Sequence, residues 1–196
     1  MNITFFILYC SLIIISPGPT NIMIFSITNN LGVQRALSFC YGSMLAFNIL
    51  VFGSALFNSF LLSFLPGLLI YLRIIGAFYM IYLAYQILKS DLSFSLSFEV
   101  GSFKMGFLIQ ILNPKGILFC LTVFPTFITP FYNTIEVQLL FALLLSFIGT
   151  IAFFIWVLFG RLLKKLLSSY QRVINSFMAL FLVYSAVLIS GIMDYI

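Results

Sequence analysis

Long apolar stretches without any charged side chain are the feature that most constrains the fold of this chain. Five such stretches lie between its charged residues: 1–34, 36–72, 116–135, 137–160 and 173–193. Each is long enough for at least one helical crossing of a bilayer, which takes roughly 20 residues. Only 7% of the residues are charged and the mean hydropathy is +1.23, which excludes a water-soluble domain. The sequence therefore predicts an all-α integral membrane protein embedded in a lipid bilayer.

The lengths of these stretches predict six transmembrane helices. The stretch 36–72 is too long for one span and suits two, with Pro66-Gly67 as the turn between them. The predicted helices cover approximately residues 3–27, 36–64, 68–88, 104–129, 137–160 and 172–193, and the loops that matter are 28–35, 89–103 and 161–171.

Basic residues lie on one side of this predicted bundle. Loops one, three and five and their flanks contain Arg35, Lys89, Lys104, Arg161, Lys164, Lys165 and Arg172, whereas loops two and four contain only Glu136. Because short cytoplasmic loops carry an excess of Lys and Arg, we expect both termini on the outer side of the cell membrane. Arg73, inside the third helix, is expected to snorkel to the outer interface. The net charge of +5 thus reflects topology, and a nucleic-acid partner is disfavoured.

Two proline motifs interrupt apolar stretches at matching places, Ser16-Pro17-Gly18-Pro19 and Asn113-Pro114-Lys115-Gly116. Pro17 and Pro114 are 97 positions apart in a chain of 196. The carbonyl groups that a proline leaves without donors are tolerated in a membrane only where they are buried or line a cavity. We predict that helices 1 and 4 are broken at these motifs, within a single transporter domain, 1–196. Its halves, about 1–97 and 98–196, have three helices each, which forces a 3+3 inverted repeat.

The motifs resemble those of the LysE/RhtB amino-acid exporters. The matching segments are Ser16-Pro17-Gly18-Pro19-Thr20-Asn21, Arg73-x-x-Gly76-Ala77-x-Tyr79-x-x-Tyr82-Leu83-Ala84, and Gly106-Phe107-x-x-Gln110-x-x-Asn113-Pro114-Lys115 with Phe119. Within the family the likeness is greatest to the cysteine and O-acetylserine exporters, which are similar in size and in the stretch Leu182-Val183-Tyr184-x-Ala186-Val187. The resemblance implies a secondary exporter, not an enzyme, for amino acids or close derivatives of the cysteine/O-acetylserine or threonine/homoserine type. Family members often carry a polar or acidic residue where this chain has Thr20, which leaves substrate choice open.

Broken helices also suit an amino-acid zwitterion on physical grounds. Half-helix N-termini direct N–H groups at a carboxylate, and carbonyls before a break accept from an ammonium. Lys115 is the only ionisable residue predicted near the middle of a span, and its partner is expected to be the substrate carboxylate or a broken-helix carbonyl. The alternative is that Lys115 snorkels to the cytoplasmic interface. The predicted substrate-binding residues are Pro17, Gly18, Pro19, Thr20, Asn21, Gln110, Asn113, Pro114 and Lys115.

Other assignments stay open from sequence. Asn48 and Gln110 suit either a site or contacts between helices. The small residues of the second helix permit close approach within the bundle or between subunits of a homo-oligomer; they are Gly42, Ser43, Ala46, Gly53 and Ser54. A proton is a candidate coupling ion, carried by Lys115 or by the substrate, because no histidine and no mid-membrane carboxylate is present. No cofactor is expected.

Two alternative functions come from other classes. A membrane thiol–disulfide relay would use Cys10 in the first helix and Cys120 in the fourth, but a relay needs thiolates beside the breaks. A cation exporter is less favoured still, since hard or borderline cations need carboxylate, imidazole or thiolate ligands.

Overall fold

The structure is a computed structural model that describes residues 1–89 and 99–190. All regular secondary structure among these residues is helical: α1 Ile3–Ile15, α2 Pro19–Leu31, α3 Val33–Leu88, α4 Phe103–Ile111, α5 Pro114–Val123 and α6 Ile135–Ser190, with a π-helical turn Phe124–Ile128 directly after α5. In each half, two short helices precede a helix of 56 residues. Within the part of the chain that the structure describes, two stretches are long and apolar enough to cross a membrane, Val33–Phe57 and Ile135–Leu162, and up to four if each short pair forms one span.

Prolines begin the second helix of each short pair. α1 and α2 are bent by 53° around Ser16–Gly18, and α4 and the segment Pro114–Ile128 are bent by 55°. Pro19 and Pro114 occupy the first helical position, where the missing N–H removes no intrahelical bond and the fixed φ suits the helix. Each pair therefore changes direction within two or three residues.

Three predicted connections were wrong. The loop 28–35 is reduced to Gly32, whose φ of 91° lets α3 start immediately after α2 because glycine lacks a Cβ. The chain is helical through Pro66-Gly67, and the non-helical residue inside α3 is Phe57. A proline has a helix-compatible φ, so this pair does not compel a turn. The predicted loop 161–171 is helical within α6, because it is rich in Leu and Lys and contains neither Gly nor Pro.

Parts of two other predictions lie outside the described residues. They are 90–98 of the predicted loop 89–103 and 191–193 of the last predicted helix.

α3 and α6 pack against each other in the core of the bundle, to which the shorter helices also contribute. Phe47 contacts Phe153 edge to face with ring centroids 6.2 Å apart. A Cβ on Gly149 would lie 2.4 Å from the Phe47 ring, so glycine permits this close contact. The C-terminal parts of the same two helices pack through Met80 and Ala186. The two 56-residue helices thus contact each other at Phe47 and Phe153 and again at Met80 and Ala186.

The small residues of α3 mostly approach other helices of the same chain. A Cβ on Gly42 would lie 1.9 Å from the Phe103 carbonyl oxygen, and Ser43 donates a hydrogen bond to the Gly106 carbonyl at 3.1 Å. Gly53, in contrast, faces open space. Two roles were left open for these small residues, contacts within the bundle and contacts between subunits. Gly42 and Ser43 make contacts within the bundle, because they bring α3 against α4.

An ion pair joins the start of α3 to the segment before α4. Arg35 Nη2 lies 2.5 Å from Glu99 Oε1, and both side chains are exposed. The guanidinium lowers the pKa of the Glu99 carboxyl through a hydrogen bond and its charge. Because exposed ion pairs are screened by solvent, this contact adds little stability. It does bring the segments predicted as loops one and three to one end of the bundle.

Candidate functional site

The carbonyl groups at the end of α1 lose their helical donors because the helix stops before the Pro-Gly-Pro motif. Asn21 donates its side-chain amide to the Ile14 carbonyl at 2.9 Å and to the Ser16 carbonyl at 3.0 Å. Trp156 of α6 donates its indole N–H to the Ile15 carbonyl at 2.8 Å. These donors come from α2 and α6. They satisfy a helix end that an apolar environment would otherwise leave unpaired.

Lys115, the second residue of α5, reaches the first break. Its Nζ donates to the carbonyl and the hydroxyl of Ser16, both at 2.7 Å, and lies 3.4 Å from the Pro17 carbonyl oxygen. A Cβ on Gly18 would lie 2.9 Å from Lys115 Cδ, so the glycine leaves room for the lysine chain. The ammonium lies at the negative end of the α1 dipole. Its partner here is therefore a broken-helix carbonyl, one of the two partners expected from sequence.

Three buried polar side chains connect the two breaks. Thr20 donates its hydroxyl to Gln110 Oε1 at 2.6 Å, while Asn113 Nδ2 donates to Thr20 Oγ1 at 3.0 Å and to Gln110 Oε1 at 3.2 Å. Their side chains are 1%, 2% and 5% exposed for Thr20, Gln110 and Asn113. Buried polar groups need partners, so this cluster constrains how α2 meets the turn between α4 and α5.

The N-termini of α2 and α5 differ. Asn113 Oδ1 accepts from the Lys115 backbone N–H at 3.1 Å and caps α5, whereas α2 begins without a side-chain cap. The first N–H groups of α2 therefore remain available to an anion. Two side-chain atoms nearby also lack a hydrogen-bond partner among the described residues, namely Asn21 Oδ1 and Gln110 Nε2. The region thus offers an acceptor as well as donors.

Two cavities meet at Lys115. The smaller, of about 30 Å³, is lined by polar Asn21, Gln110 and Asn113 together with apolar side chains. The larger, of about 430 Å³, lies between α1, α5 and the C-terminal part of α6. Ile13, Lys115 and Phe119 line both cavities. The smaller cavity admits only water-sized molecules, so the polar side of the lysine has no room for a substrate in this structure.

All nine residues predicted to bind substrate lie at or beside the two breaks: Pro17, Gly18, Pro19, Thr20, Asn21, Gln110, Asn113, Pro114 and Lys115. Gln110, for which two interpretations stayed open, is in the buried polar cluster. Asn48 lines none of the cavities described here. The role of the nine residues as substrate ligands stays a prediction.

Three residues of the site were missed from sequence. Ser16 holds the ammonium of Lys115, Phe119 lines both cavities, and Trp156 binds the end of α1. The sequence did contain a signal for Ser16, because a hydroxyl next to a helix break is an acceptor for an ammonium. Trp156 had none, since its partner lies 141 positions earlier in the chain.

The two alternative functions receive no support. Cys10 and Cys120 are free thiols that are 0% and 1% exposed. Neither lines a cavity that contains Lys115, so a relay that needs accessible thiolates is not supported. Within residues 1–89 and 99–190, no group of three His, Cys, Asp or Glu side chains is placed to hold a metal ion.

Comparison with known proteins identifies the family. The LysE type translocator family matches residues 11–190. The chain is 32% identical to a cysteine/O-acetylserine efflux protein of Klebsiella pneumoniae subsp. pneumoniae over 94% of this chain and 95% of that protein. It is 31% identical to a protein of the same description from Escherichia coli (strain K12) over 91% of this chain and 92% of that protein. No solved structure shows a significant match.

The matched region includes both helix breaks, residues 11–15 at the end of α1 and the whole of α2 to α6. The expected resemblance is therefore confirmed, as is the expectation of a transporter instead of an enzyme. Together with its apolar helices, the match makes this chain a multi-pass membrane protein that belongs to the LysE type translocator family.

Proposed function

We propose that this chain is a secondary active exporter of small neutral amino acids or close derivatives, of the cysteine and O-acetylserine type, from the cytoplasm of a bacterium. The relatives named above are described as cysteine/O-acetylserine efflux proteins. One observation carries the proposal. The two breaks, far apart in sequence, meet in space with Lys115 Nζ 2.7 Å from the Ser16 carbonyl oxygen. Paired breaks that meet within a transporter are where substrates bind.

The chemistry around the breaks suits a zwitterion with an uncharged side chain. The Lys115 ammonium and the uncapped N–H groups of α2 would bind the carboxylate. Neutral oxygen atoms, including Asn21 Oδ1, would accept from the α-ammonium. None of the described residues that line the two cavities is Asp or Glu. A basic substrate side chain would therefore find no counter-ion, which favours cysteine-like substrates over lysine.

The same proposal includes six crossings in one transporter domain, 1–196. Each short pair would form one broken span. Each 56-residue helix, roughly 84 Å long at 1.5 Å per residue against a hydrocarbon core of about 30 Å, would form two spans by reversing direction, in α3 beyond Phe57 where the apolar span Val33–Phe57 ends. Three spans in each half, about 1–97 and 98–196, would give the inverted repeat. The Arg35–Glu99 pair supports placing the predicted loops one and three on one side, the cytoplasmic one, with both termini outside.

Efflux from preloaded cells tests the substrate proposal. Cells that express the chain would be loaded with labelled cysteine, O-acetylserine, threonine, lysine or leucine, in parallel with the variants Lys115→Ala and Lys104→Ala. Lys104 is an exposed lysine of α4 and is the matched control. We expect faster efflux of cysteine and O-acetylserine, lost in Lys115→Ala and kept in Lys104→Ala. Equal efflux from all variants at equal membrane levels would contradict the site.

An ion gradient is proposed as the driving force, with the proton as the candidate ion. Because the spans contain no histidine or mid-membrane carboxylate, Lys115 or the substrate would carry the proton. An uncoupler that collapses the proton gradient should slow efflux of the preferred substrate. Undiminished efflux against a concentration gradient after uncoupling would remove the proton from the mechanism.

A further inference from the structure

We propose that the oxygen atoms of Ser16 and Pro17 form a binding site for a primary ammonium, which Lys115 occupies in this structure and the α-ammonium of the substrate occupies during transport. We call this the ammonium cradle: the carbonyl oxygen and hydroxyl of Ser16 and the carbonyl oxygen of Pro17. The inference deepens the proposed function and rests on it for the identity of the substrate. A substrate that binds there must displace Lys115 from Ser16 and Pro17.

The geometry of the cradle matches an ammonium group. Lys115 Nζ has three N–H donors and no acceptor, and it meets three oxygen atoms at 2.7, 2.7 and 3.4 Å. The Ser16 hydroxyl donates its own hydrogen to the Ile13 carbonyl at 2.8 Å, which leaves its lone pairs to accept. All three oxygens are uncharged. They therefore bind a cation without holding it as tightly as a carboxylate would.

The break in the backbone is what makes the carbonyl groups available. In a continuous helix the Ser16 and Pro17 carbonyls would accept from the N–H groups of residues 20 and 21. Here α1 has already ended and α2 begins only at Pro19. Two of the three cradle oxygens thus belong to the backbone. These backbone oxygens remain after any side-chain substitution, so the binding site is still present when Lys115 is replaced.

The position of the cradle connects it to the path of a substrate. Ser16 lines the cavity of about 430 Å³, and Lys115 lies between that cavity and the one of about 30 Å³. Movement of the lysine chain would join the two cavities. It would also expose Asn21 Oδ1 and Gln110 Nε2, both unpartnered among the described residues, to the same space. One motion would therefore open the cavity and vacate the cradle.

The exchange keeps the charges paired. A partly buried ammonium loses stabilising free energy when it gives up its acceptors, so Lys115 leaves the oxygens more readily when another partner replaces them. A zwitterion supplies that partner, because its carboxylate pairs with Lys115 while its α-ammonium enters the cradle. No covalent bond forms or breaks. An amine without a carboxylate offers Lys115 no new partner and should be excluded from the wild-type protein.

Binding of ethylammonium to the purified full-length protein in detergent tests the cradle without any transport measurement. Melting temperatures would be followed with increasing ethylammonium chloride, and tetramethylammonium chloride would be the control at equal ionic strength because it has no N–H donor. We expect a saturable rise in the melting temperature of Lys115→Ala with ethylammonium alone. Wild type and Lys104→Ala should respond equally to both salts. A second change, Ser16→Ala in the Lys115→Ala protein, should weaken ethylammonium binding about fivefold by removing one acceptor.

Two results would overturn the inference: equal responses of Lys115→Ala to both salts, or a saturable response of the wild type to ethylammonium. If Lys115→Ala does not fold, Lys115→Leu retains the apolar bulk without a donor and replaces it in the same titration. The cradle and the proposed export fail separately. Ethylammonium binding without amino-acid efflux would support the cradle and reject the proposed function. Efflux without ethylammonium binding would support the proposed function and reject the cradle.

Discussion

Replacing Thr20 with valine removes the hydroxyl that joins the two halves in the buried polar cluster. Valine, like threonine, carries two heavy atoms on Cβ, so the substitution deletes hydrogen bonds without opening a large cavity. The hydroxyl donates to Gln110 at 2.6 Å and accepts from Asn113 at 3.0 Å. The bond that remains, from Asn113 to Gln110, lies within the second half of the chain. In Thr20→Val no side-chain hydrogen bond of this cluster would connect α2 to the turn between α4 and α5.

The expected loss follows from those two bonds. A buried hydrogen bond contributes about 0.5–1.5 kcal/mol net, and measured values within membrane proteins average about 0.6 kcal/mol. The free energy of unfolding should therefore fall by about 1–3 kcal/mol. If substrate binding requires the intact cluster, a loss of about 1–3 kcal/mol corresponds to a decrease of roughly 5- to 150-fold in apparent substrate affinity.

Thr28→Val is the matched control. Thr28 lies on the same helix and is also 1% exposed, but its hydroxyl donates at 2.7 Å to the Ile24 carbonyl of its own helix. We expect the control to lose no more than about 0.6 kcal/mol and to keep full transport. Unfolding in detergent micelles and efflux from cells would be measured for both variants. Equal stability and equal efflux of Thr20→Val and Thr28→Val would refute the reasoning.

Three further predictions follow from individual contacts. Gly76→Ala should destabilise the protein by about 1–3 kcal/mol, because the new Cβ would lie 2.4 Å from Pro114 Cβ. Gly53→Ala is the control and should not destabilise the protein, because its new Cβ enters open space. Unfolding curves that show Gly53→Ala as the less stable variant would contradict the packing. Trp156→Phe keeps the ring but removes the indole donor, so it should lower unfolding stability by about 1–3 kcal/mol, and an unchanged melting curve would count against that bond. Glu99→Gln should slightly lower the melting temperature near neutral pH, and this difference should vanish as the pH falls through the lowered pKa of Glu99 in the folded state; a difference that persists in acid would assign it to another cause.

Local features explain the predictions from sequence that succeeded. The charge-free stretches indicated a helical membrane protein because length and hydropathy alone decide whether a helix suits a bilayer. The proline motifs indicated helix boundaries, and helices do end or begin beside Pro17, Pro19 and Pro114. A proline changes the backbone at its own position, so its effect is visible without any knowledge of packing.

The connections between helices were predicted less well. Pro66-Gly67 has the composition of a turn, yet the backbone there is helical and the interruption is at Phe57. The basic segment 161–171 has no residue that opposes a helix and continues α6. Charge and turn propensity indicate which side of a membrane a segment prefers, but they do not decide whether its backbone leaves the helix.

The sequence by itself determined the class of protein, the positions of the two breaks and the polar residues beside them, because these depend on the hydropathy of each segment and on the chemistry of single residues. Only the tertiary structure decided the partners of those residues. The bonds from Lys115 to Ser16, from Thr20 to Gln110 and from Trp156 to Ile15 join positions 99, 90 and 141 apart. Contacts at such separations depend on how α3 and α6 pack the two halves together, and no local pattern in the chain records that packing.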